Sequence, residues 1–291
     1  MNKKILFIIN PISGAGKNGR IEKIVDKYLD KSKYTPYFSY TKASKHAIEL
    51  SRDAANQYDI VTAIGGDGTI NEVSQGLLGS NTALAIIPAG SGNGFARFFH
   101  VPLDAEKAVQ IINNGNIKRI DTMNINAHKF ANVAGTGFDA LISIKFANYG
   151  KRGIFPYIKL VAKEFWSYKS LTYHVEIDGK SYNEEAFLLT FANSSQFGAN
   201  AHIAPLAAID DGLIDVCFLK KCPWYAMPKL VYQLFAKKLH HSKYLKIVQG
   251  KHVIVTHNQP LIVHLDGEPY QMENKLELTV NPLSLDVVIG L

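Results

Sequence analysis

Three glycine-rich segments in the first hundred residues each follow a short apolar run, and their composition suits the binding of phosphate groups. They read NPISGAG at 10–16, GGDGT at 65–69 and PAGSGNG at 88–94. Glycine lets the backbone approach a ligand closely, and open parallel sheets bind ligands beyond the carboxyl ends of their strands. We therefore expect the three loops to line one phosphate-binding site.

The GGDGTINEV segment, residues 65–73, carries the most specific signal. Thr69 and Glu72 have the spacing of a capping box, which predicts a helix start here, and the free amides of a helix start favour a phosphate group. Asp67 lies among these amides, and a carboxylate beside phosphates is best explained by a magnesium ion between them. A plain strand-to-helix turn is the simpler alternative, but three such loops in series weaken it.

The first loop also contains the pattern G-x-G-x-x-G, at Gly14, Gly16 and Gly19. A Walker A loop is excluded because Lys17 is followed by asparagine rather than serine or threonine. A dinucleotide-binding fold needs an acidic residue about 20 positions later, where this sequence reads Tyr-Thr-Lys at 40–42. We therefore predict a strand-end phosphate loop of another kind, and a redox enzyme is disfavoured.

The elements that must position these loops alternate between strands and helices. ILFII, PYFSYT, DIVTAI and LAIIP are strand-like runs, and helical periodicity separates them. This order predicts a doubly wound α/β domain with a mainly parallel sheet. We assign it to residues 1–121, with 281–291 as a candidate to complete it.

Beyond about residue 120, short strand-like runs follow one another with turns such as Asp178-Gly179 between them. They predict a mainly antiparallel β-sandwich domain over residues 122–280, interrupted by helices at about 154–168 and 224–240. Both helices have apolar faces and basic margins. Either could lie in a membrane interface, although an amphipathic helix normally packs that face on its own domain.

Composition excludes several classes of protein. No apolar run reaches the roughly 18 residues of a membrane span, so we expect a cytoplasmic protein. Cys217 and Cys222 have neither zinc-site spacing nor the numbers of a disulfide framework, and we interpret them as buried structural cysteines. The net charge of +7 suits nucleic acid, an anionic membrane or a phosphorylated substrate equally well.

The order of the motifs resembles the diacylglycerol kinase catalytic family, which includes bacterial lipid kinases, sphingosine kinases and ceramide kinases. The three glycine loops are followed by GTGFDA, AP-x-A-x-x-DDG and LDGEP, so the resemblance runs from Asn10 to Pro269. The GGDGT loop is shared with NAD kinases and related to a loop of 6-phosphofructokinases. The resemblance implies an NAD kinase-like α/β domain and an ATP- and Mg²⁺-dependent lipid kinase for a diacylglycerol-like or sphingoid-like substrate.

The same resemblance assigns roles to individual residues. Asp211 would hold a structural Mg²⁺ with the carbonyls of Ala208 and Leu213, and a solvated acidic turn remains equally open. Asp266 or Glu268 would accept the hydroxyl proton, although Asp-Gly is also a common hairpin turn. The residues assigned to the nucleotide are Asn10, Thr41, Gly65, Gly66, Asp67, Gly68, Thr69, Ile70, Asn71 and Ser91.

One position departs from the family pattern. Gly94 stands where many bacterial members have aspartate, which leaves the identity of the lipid open. The alternatives are an NAD kinase and a catalytically silent regulator that binds a nucleotide or a lipid. We expect a lipid substrate at the membrane surface, peripheral membrane association and no nucleic-acid partner, and a homodimer stays open.

Overall fold

The computed structural model describes residues 2–13, 20–90, 92–147, 149 and 154–290. The chain forms two compact units. The first unit consists of Met1–Asp121 and Leu283–Leu291, and the second of Thr122–Pro282. The predicted fold class, an α/β domain with a parallel sheet followed by a mainly antiparallel β-sandwich, is confirmed by the strand pairings.

The first unit is built on a parallel sheet of order β2-β1-β3-β4, and the last part of β18 continues it beside β4. Helices α2 and α3 pack on each other, as do α1 and α5. The elements are β1 (Lys3–Ile9), α1 (Ile21–Tyr28), β2 (Tyr34–Tyr40), α2 (His46–Ala54), β3 (Ile60–Gly65), α3 (Asp67–Leu77), β4 (Ala83–Pro88), α4 (Gly94–Phe98), α5 (Ala105–Asn114) and β18 (Lys275–Val288).

Burial in this sheet explains the composition of its strands. Every residue of β3 and β4 is buried, because helices cover a central parallel strand on both sides and favour a continuous apolar run. Strand β2 lies at the edge of the sheet and is only partly buried. Helix α5 begins at Asp104, whose carboxylate accepts the amide of Lys107 at 3.0 Å, and ends at Gly115 with a φ of 68°.

The second unit contains two antiparallel arrangements of strands. One sheet has the order β14-β13-β10-β7-β16-β17, and the other runs β9-β8-β15-β18. The elements are β5 (Ile117–Ile125), β6 (His128–Phe130), β7 (Val133–Gly137), α6 (Phe138–Ala147), α7 (Ile154–Ser167), β8 (Leu171–Ile177), β9 (Lys180–Ala186), β10 (Leu188–Ala192), β11 (Gln196–Gly198), β12 (Ala201–His202), β13 (Ile214–Leu219), α8 (Met227–Phe235), β14 (Leu245–Gly250), β15 (His252–Thr256), β16 (Leu261–Leu265) and β17 (Glu268–Met272). Strands β5 and β18 run from one unit into the other.

Alternating side chains from both sheets form the core of the sandwich. Tyr173, Val175 and Ile177 of β8 point to the same side, and they join Phe191 of β10 and Phe218 of β13 in one buried cluster. This period of two is the pattern expected of strands with one buried face. A second cluster, which includes buried side chains of α6 and α7, holds Phe138, Phe165 and Phe187.

The structure bears on two expectations from the composition, which concern the cysteines and membrane-spanning helices. Cys217 and Cys222 are buried free thiols, which confirms the structural interpretation. Within the part of the chain that the structure describes, no helix combines the length and the apolar character that a membrane crossing requires.

Candidate functional site

The parallel register of the first unit brings the carboxyl ends of its strands to one edge. The amide of Thr41 donates to the carbonyl of Ile9 at 2.9 Å, and the amide of Ala89 donates to that of Gly65 at 2.7 Å. Asn10, which follows Ile9, therefore lies between the ends of β2 and β3 in the sheet order. The segments that follow four adjacent strands thus form a single rim.

Asn10 connects the first loop of this rim to helix α3. Its Nδ2 donates to the hydroxyl of Thr69 at 3.0 Å, and its Oδ1 accepts the amide of Ile12 at 3.1 Å. Thr69 packs over Gly65, where an added Cβ would come within 2.5 Å of the Thr69 Cβ. Residue 65 must therefore be glycine, because the Thr69 side chain, which Asn10 orients, leaves no room for a Cβ there.

The predicted capping box of Thr69 and Glu72 is wrong. Helix α3 begins three residues earlier than that pattern requires, with Gly66 as its N-cap and no capping side chain. Glu72 instead accepts the amides of Lys45 and Ala47 at 3.0 and 3.2 Å, so it caps the start of α2. The first amides of α3 are left without a side-chain cap, which suits an anionic ligand.

Asp67 joins the second and third glycine loops. Its Oδ2 accepts the amide of Asn93 and its Oδ1 that of Gly94, each at 2.8 Å. Burial raises the pKa of the Asp67 carboxyl, and these amides oppose the rise because they stabilise the charged form. The geometry gives Asp67 a loop-joining role, and a magnesium ion at this carboxylate stays a prediction.

Glycine is required where the same two loops touch. An added Cβ on Gly90 would lie 2.6 Å from the Cα of Gly66, a separation that no folded backbone tolerates. Asn93 closes the third loop, because its side chain accepts the amide of Gly90 at 2.9 Å and donates to its carbonyl at 2.8 Å. The loop is therefore held against the start of α3 on both sides.

The remaining residues assigned to the nucleotide divide into two groups. Gly68 lies in the first turn of α3, while the side chains of Ile70 and Asn71 are buried further along that helix. Ser91 and the glycines of the first loop, Gly14, Gly16 and Gly19, lie outside the described residues. The structure thus brings Asn10, Thr41 and the segment 65–69 together at one sheet edge.

In the second unit, Asp266 and Gly267 form the turn of the hairpin between β16 and β17. Both have positive φ, 48° and 93°, as the tightest hairpin turns require. The Asp266 carboxylate accepts the amides of residues 131–133 at 3.2, 3.0 and 2.8 Å. Burial raises the pKa of Asp266 to about 6, and the three amides and His264 limit the rise.

The Asp178-Gly179 turn has the same construction and no proposed chemical role. Its φ values are 47° and 79°, which confirms the predicted turn, and the Asp178 carboxylate accepts the amides of Lys251 and His252. The similarity indicates that the Asp266 carboxylate anchors its hairpin. The side chain of Glu268, in contrast, is exposed and forms no hydrogen bond or ion pair with a described residue.

Sequence reasoning missed a buried polar group beside this hairpin. His264 Nε2 lies 3.2 Å from Asp139 Oδ2, and the Thr190 hydroxyl donates to the same oxygen at 3.2 Å. An added Cβ on Gly135 would come within 2.3 Å of that oxygen. Asp139 and Gly135 both belong to GTGFDA, and His264 lies two residues before Asp266, so these two signals could have identified the group.

The predicted metal ligands lie in an exposed turn of the second unit. The amide of Leu213 donates to Asp211 Oδ1 at 3.0 Å, and Ala208 is exposed. No group of three or more histidine, cysteine, aspartate or glutamate residues among the described residues is placed to hold a metal. One carboxylate with backbone carbonyls is nevertheless a donor set that suits Mg²⁺.

A second carboxylate near this turn, that of Asp215, is destabilised in its charged form, and a nearby cation would stabilise that form. Asp215 is buried, and burial, followed by the negative charge of Asp211, raises its pKa to about 6. Gln249 Nε2 donates to it at 3.3 Å, which offsets part of the cost. The oxygen donors and this excess of negative charge fit a hard cation, and the assignment of Mg²⁺ to the turn stays a prediction.

Asp215→Asn is expected to stabilise the protein above pH 6 and to leave stability unchanged below pH 3.8. The folded pKa of about 6 lies above the unfolded value of 3.8, so charging Asp215 removes stability as the pH rises between these values. The gain should be on the order of 1–3 kcal/mol. Urea unfolding of both proteins in the presence of a chelator measures it, and a difference independent of pH would contradict the assignment.

Comparison with known proteins shows related sequences over both units. Residues 4–125 match the family model of the diacylglycerol kinase catalytic domain. Residues 132–289 match that of the YegS C-terminal NAD kinase beta sandwich-like domain. Diacylglycerol kinases of Staphylococcus saprophyticus and Bacillus subtilis are 26% and 28% identical to this chain over 275 residues, covering 92% and 91% of it and 90% of each relative.

Solved structures share the fold. A proposed diacylglycerol kinase of Bacillus anthracis strain Sterne superimposes with a TM-score of 0.83 at 24% identity, covering 99% of this chain and 95% of that chain. A second structure from the same strain, described as a diacylglycerol kinase, gives a TM-score of 0.75 at 20% identity and covers 99% and 97% of the two chains. At these identities the likeness concerns the architecture.

Proposed function

Because this chain belongs to the diacylglycerol kinase family, we propose that it transfers the γ-phosphoryl group of ATP to a lipid hydroxyl, with diacylglycerol as the first candidate acceptor. The observation that carries the proposal is the rim of the first unit. There, Asn10 contacts Thr69 and Asp67 contacts the loop at 93–94. The described parts of the three loops lie at one sheet edge, an arrangement suited to a triphosphate.

The first amides of α3 bind the phosphate groups in this proposal. They have no side-chain cap, they lie at the positive end of the helix dipole, and glycine at 65, 66 and 68 lets a ligand come close. Asn10 and Thr41 offer polar groups from the neighbouring strand ends, and Ser91 would add a hydroxyl. Because the dipole and the amides are fixed before binding, they stabilise the charge on the transferred group without reorganisation.

Glu268 accepts the proton of the lipid hydroxyl in this proposal. Its side chain is exposed and forms no ion pair with a described residue, so its oxygens are available to a substrate. The Asp266 carboxylate holds the hairpin turn by accepting three backbone amides. It thereby fixes the position of the backbone at Glu268. Phosphoryl transfer depends mainly on positioning and charge neutralisation, and a rigid hairpin serves the first of these requirements.

Magnesium enters the proposal at two places. Bound with ATP, Mg²⁺ would neutralise phosphate charge. At the turn of the second unit, Asp211 and the carbonyls of Ala208 and Leu213 would hold a second ion, and the raised pKa of Asp215 supports a cation there. Because its substrate lies in a bilayer, the enzyme works as a peripheral protein on the cytoplasmic membrane surface.

The test is to incubate the purified protein with labelled ATP, Mg²⁺ and a total lipid extract, and to identify the labelled product by mass spectrometry. NAD is offered in a parallel reaction, because NAD kinases share the GGDGT loop. We expect label in a phosphorylated lipid. Label in NADP would identify an NAD kinase instead, and tight ATP binding without any labelled product would favour a catalytically silent regulator.

A further inference from the structure

Helix α8 and the turn before it expose large apolar side chains that we call the aromatic face. Trp224, Tyr225, Val231, Tyr232 and Phe235 expose 70, 69, 47, 62 and 53% of their surface. The opposite side of the helix packs on the core of the second unit through Met227, Leu230 and Leu234. A surface helix normally presents polar side chains to solvent, so the aromatic face calls for a covering partner.

The spacing of these side chains makes them one continuous stripe. Val231 and Tyr232 precede Phe235 by four and three residues within α8, so each lies beside Phe235 on the helix surface. Trp224 and Tyr225 lie in the turn that immediately precedes the helix. Contiguous apolar patches of this kind mark interaction sites in soluble proteins.

The chain segment that carries the stripe has charge of a single sign. From Val216 to Leu265 the sequence contains no aspartate or glutamate. It contains eight lysines, Lys220, Lys221, Lys229, Lys237, Lys238, Lys243, Lys246 and Lys251. Lys220 and Lys246 pair with Glu184, whereas those at 229, 237 and 238 form no ion pair with a described residue. The partner should therefore be anionic.

A second exposed tryptophan lies next to the stripe. Lys221 Nζ donates to the carbonyls of Trp166 and Tyr168 at 3.4 and 2.6 Å. These contacts hold the end of α7 against the segment that leads to Trp224. Trp166 exposes 65% of its surface, so it adds an exposed aromatic side chain near the segment that leads to the aromatic face.

We propose that the aromatic face inserts into the interfacial layer of an anionic lipid bilayer and delivers the enzyme to its substrate, an inference that rests on the proposed lipid-kinase function. Tryptophan and tyrosine favour the level of the lipid headgroups, and helices with lysine flanks and an aromatic face lie in the plane of the interface. A second copy of the chain is a poorer partner, because facing copies would bring lysines against lysines.

The proposal is tested by flotation of the protein with vesicles of phosphatidylcholine and phosphatidylglycerol. The double variant Tyr232→Glu with Phe235→Glu should bind at least about tenfold more weakly, because both side chains leave water on binding. Tyr37→Glu changes an exposed tyrosine of the first unit and is the matched control, expected to bind like the wild type. Equal binding of the double variant and the wild type would overturn the proposal.

Variants of the lysines that form no ion pair with a described residue test the proposal independently of the apolar side chains. Changing Lys229, Lys237 and Lys238 to glutamine should lower binding to these vesicles by about fivefold per lysine. Binding to vesicles of phosphatidylcholine alone should be weak and unchanged. Trp224→Ser lies outside the helix and repeats the apolar test without risk to α8. If the triple lysine variant and Trp224→Ser both bind these vesicles like the wild type, the proposal is wrong. This result decides the question even if the double variant does not fold.

Turnover separates this proposal from the kinase assignment. On a short-chain lipid dissolved without vesicles, the double variant should match the wild type, whereas on lipid in vesicles it should be slower. If no lipid is phosphorylated, the kinase proposal fails while flotation still decides the membrane one. A wild-type dimer that the double variant converts to a monomer in vesicle-free solution would instead show that a second copy covers the face.

Discussion

Asp67→Ala is expected to lower kcat/KM for ATP at least about 100-fold while the protein stays folded. The alanine leaves the amides of Asn93 and Gly94 without their acceptor, so the third glycine loop is no longer held against the start of α3. A displacement of about 1 Å in such a loop is enough to cost two orders of magnitude in rate. Steady-state kinetics and the urea unfolding midpoint measure the two parts of the expectation.

The matched control is Asp53→Ala, which removes an exposed carboxylate from α2 in the same unit and should leave the kinetics unchanged. Asp67→Asn keeps the shape of the side chain but turns one acceptor into a donor, so it should retain part of the fold stability and little of the activity. Phosphorylation at the wild-type rate by Asp67→Ala would remove the loop-joining role from the account.

Glu268→Gln is expected to lower kcat by about 10²–10⁴-fold with an unchanged KM for ATP, because a general base typically contributes this much. The exposed side chain has no described partner to lose, so the unfolding midpoint should not move. Asp266→Asn should behave differently. It weakens the three amide contacts that hold the turn, so it should cost about 1–3 kcal/mol of stability together with part of the activity.

Asp178→Asn makes the same change in the other Asp-Gly turn and serves as the control for Asp266→Asn. It should lower stability to a similar extent, since the Asp178 carboxylate also accepts two backbone amides, and it should leave kcat intact. If Glu268→Gln has normal activity, and if Asp266→Asn is inactive without loss of stability, the base is Asp266 instead.

Sequence periodicity predicted the elements of the first unit because burial in a parallel sheet demands unbroken apolar runs. The glycine loops could also be predicted from the sequence. Gly90 and Gly66 pack together with no room for a Cβ, so these positions require glycine. In the second unit the alternation at Tyr173, Val175 and Ile177 signalled strands with one buried face. These features are local, and a pattern along the chain carries them directly.

The failures concern partners that are distant in sequence. Glu72 has the right spacing for a capping box with Thr69, but the amides it accepts belong to residues 45 and 47, on another helix. Asp139 and His264 are separated by 125 residues, so no local pattern pairs them. The anchoring role of Asp266 was hidden for the same reason, because its amide donors lie at 131–133.

A crystal structure of the protein with Mg²⁺ and a non-hydrolysable ATP analogue tests whether the rim of the first unit binds the nucleotide. We expect phosphate oxygens within hydrogen-bond distance, about 2.7–3.2 Å, of backbone amides in the segment 66–69, with the side chain of Asn10 beside them. A nucleotide bound elsewhere, with these amides facing only water, would contradict this expectation.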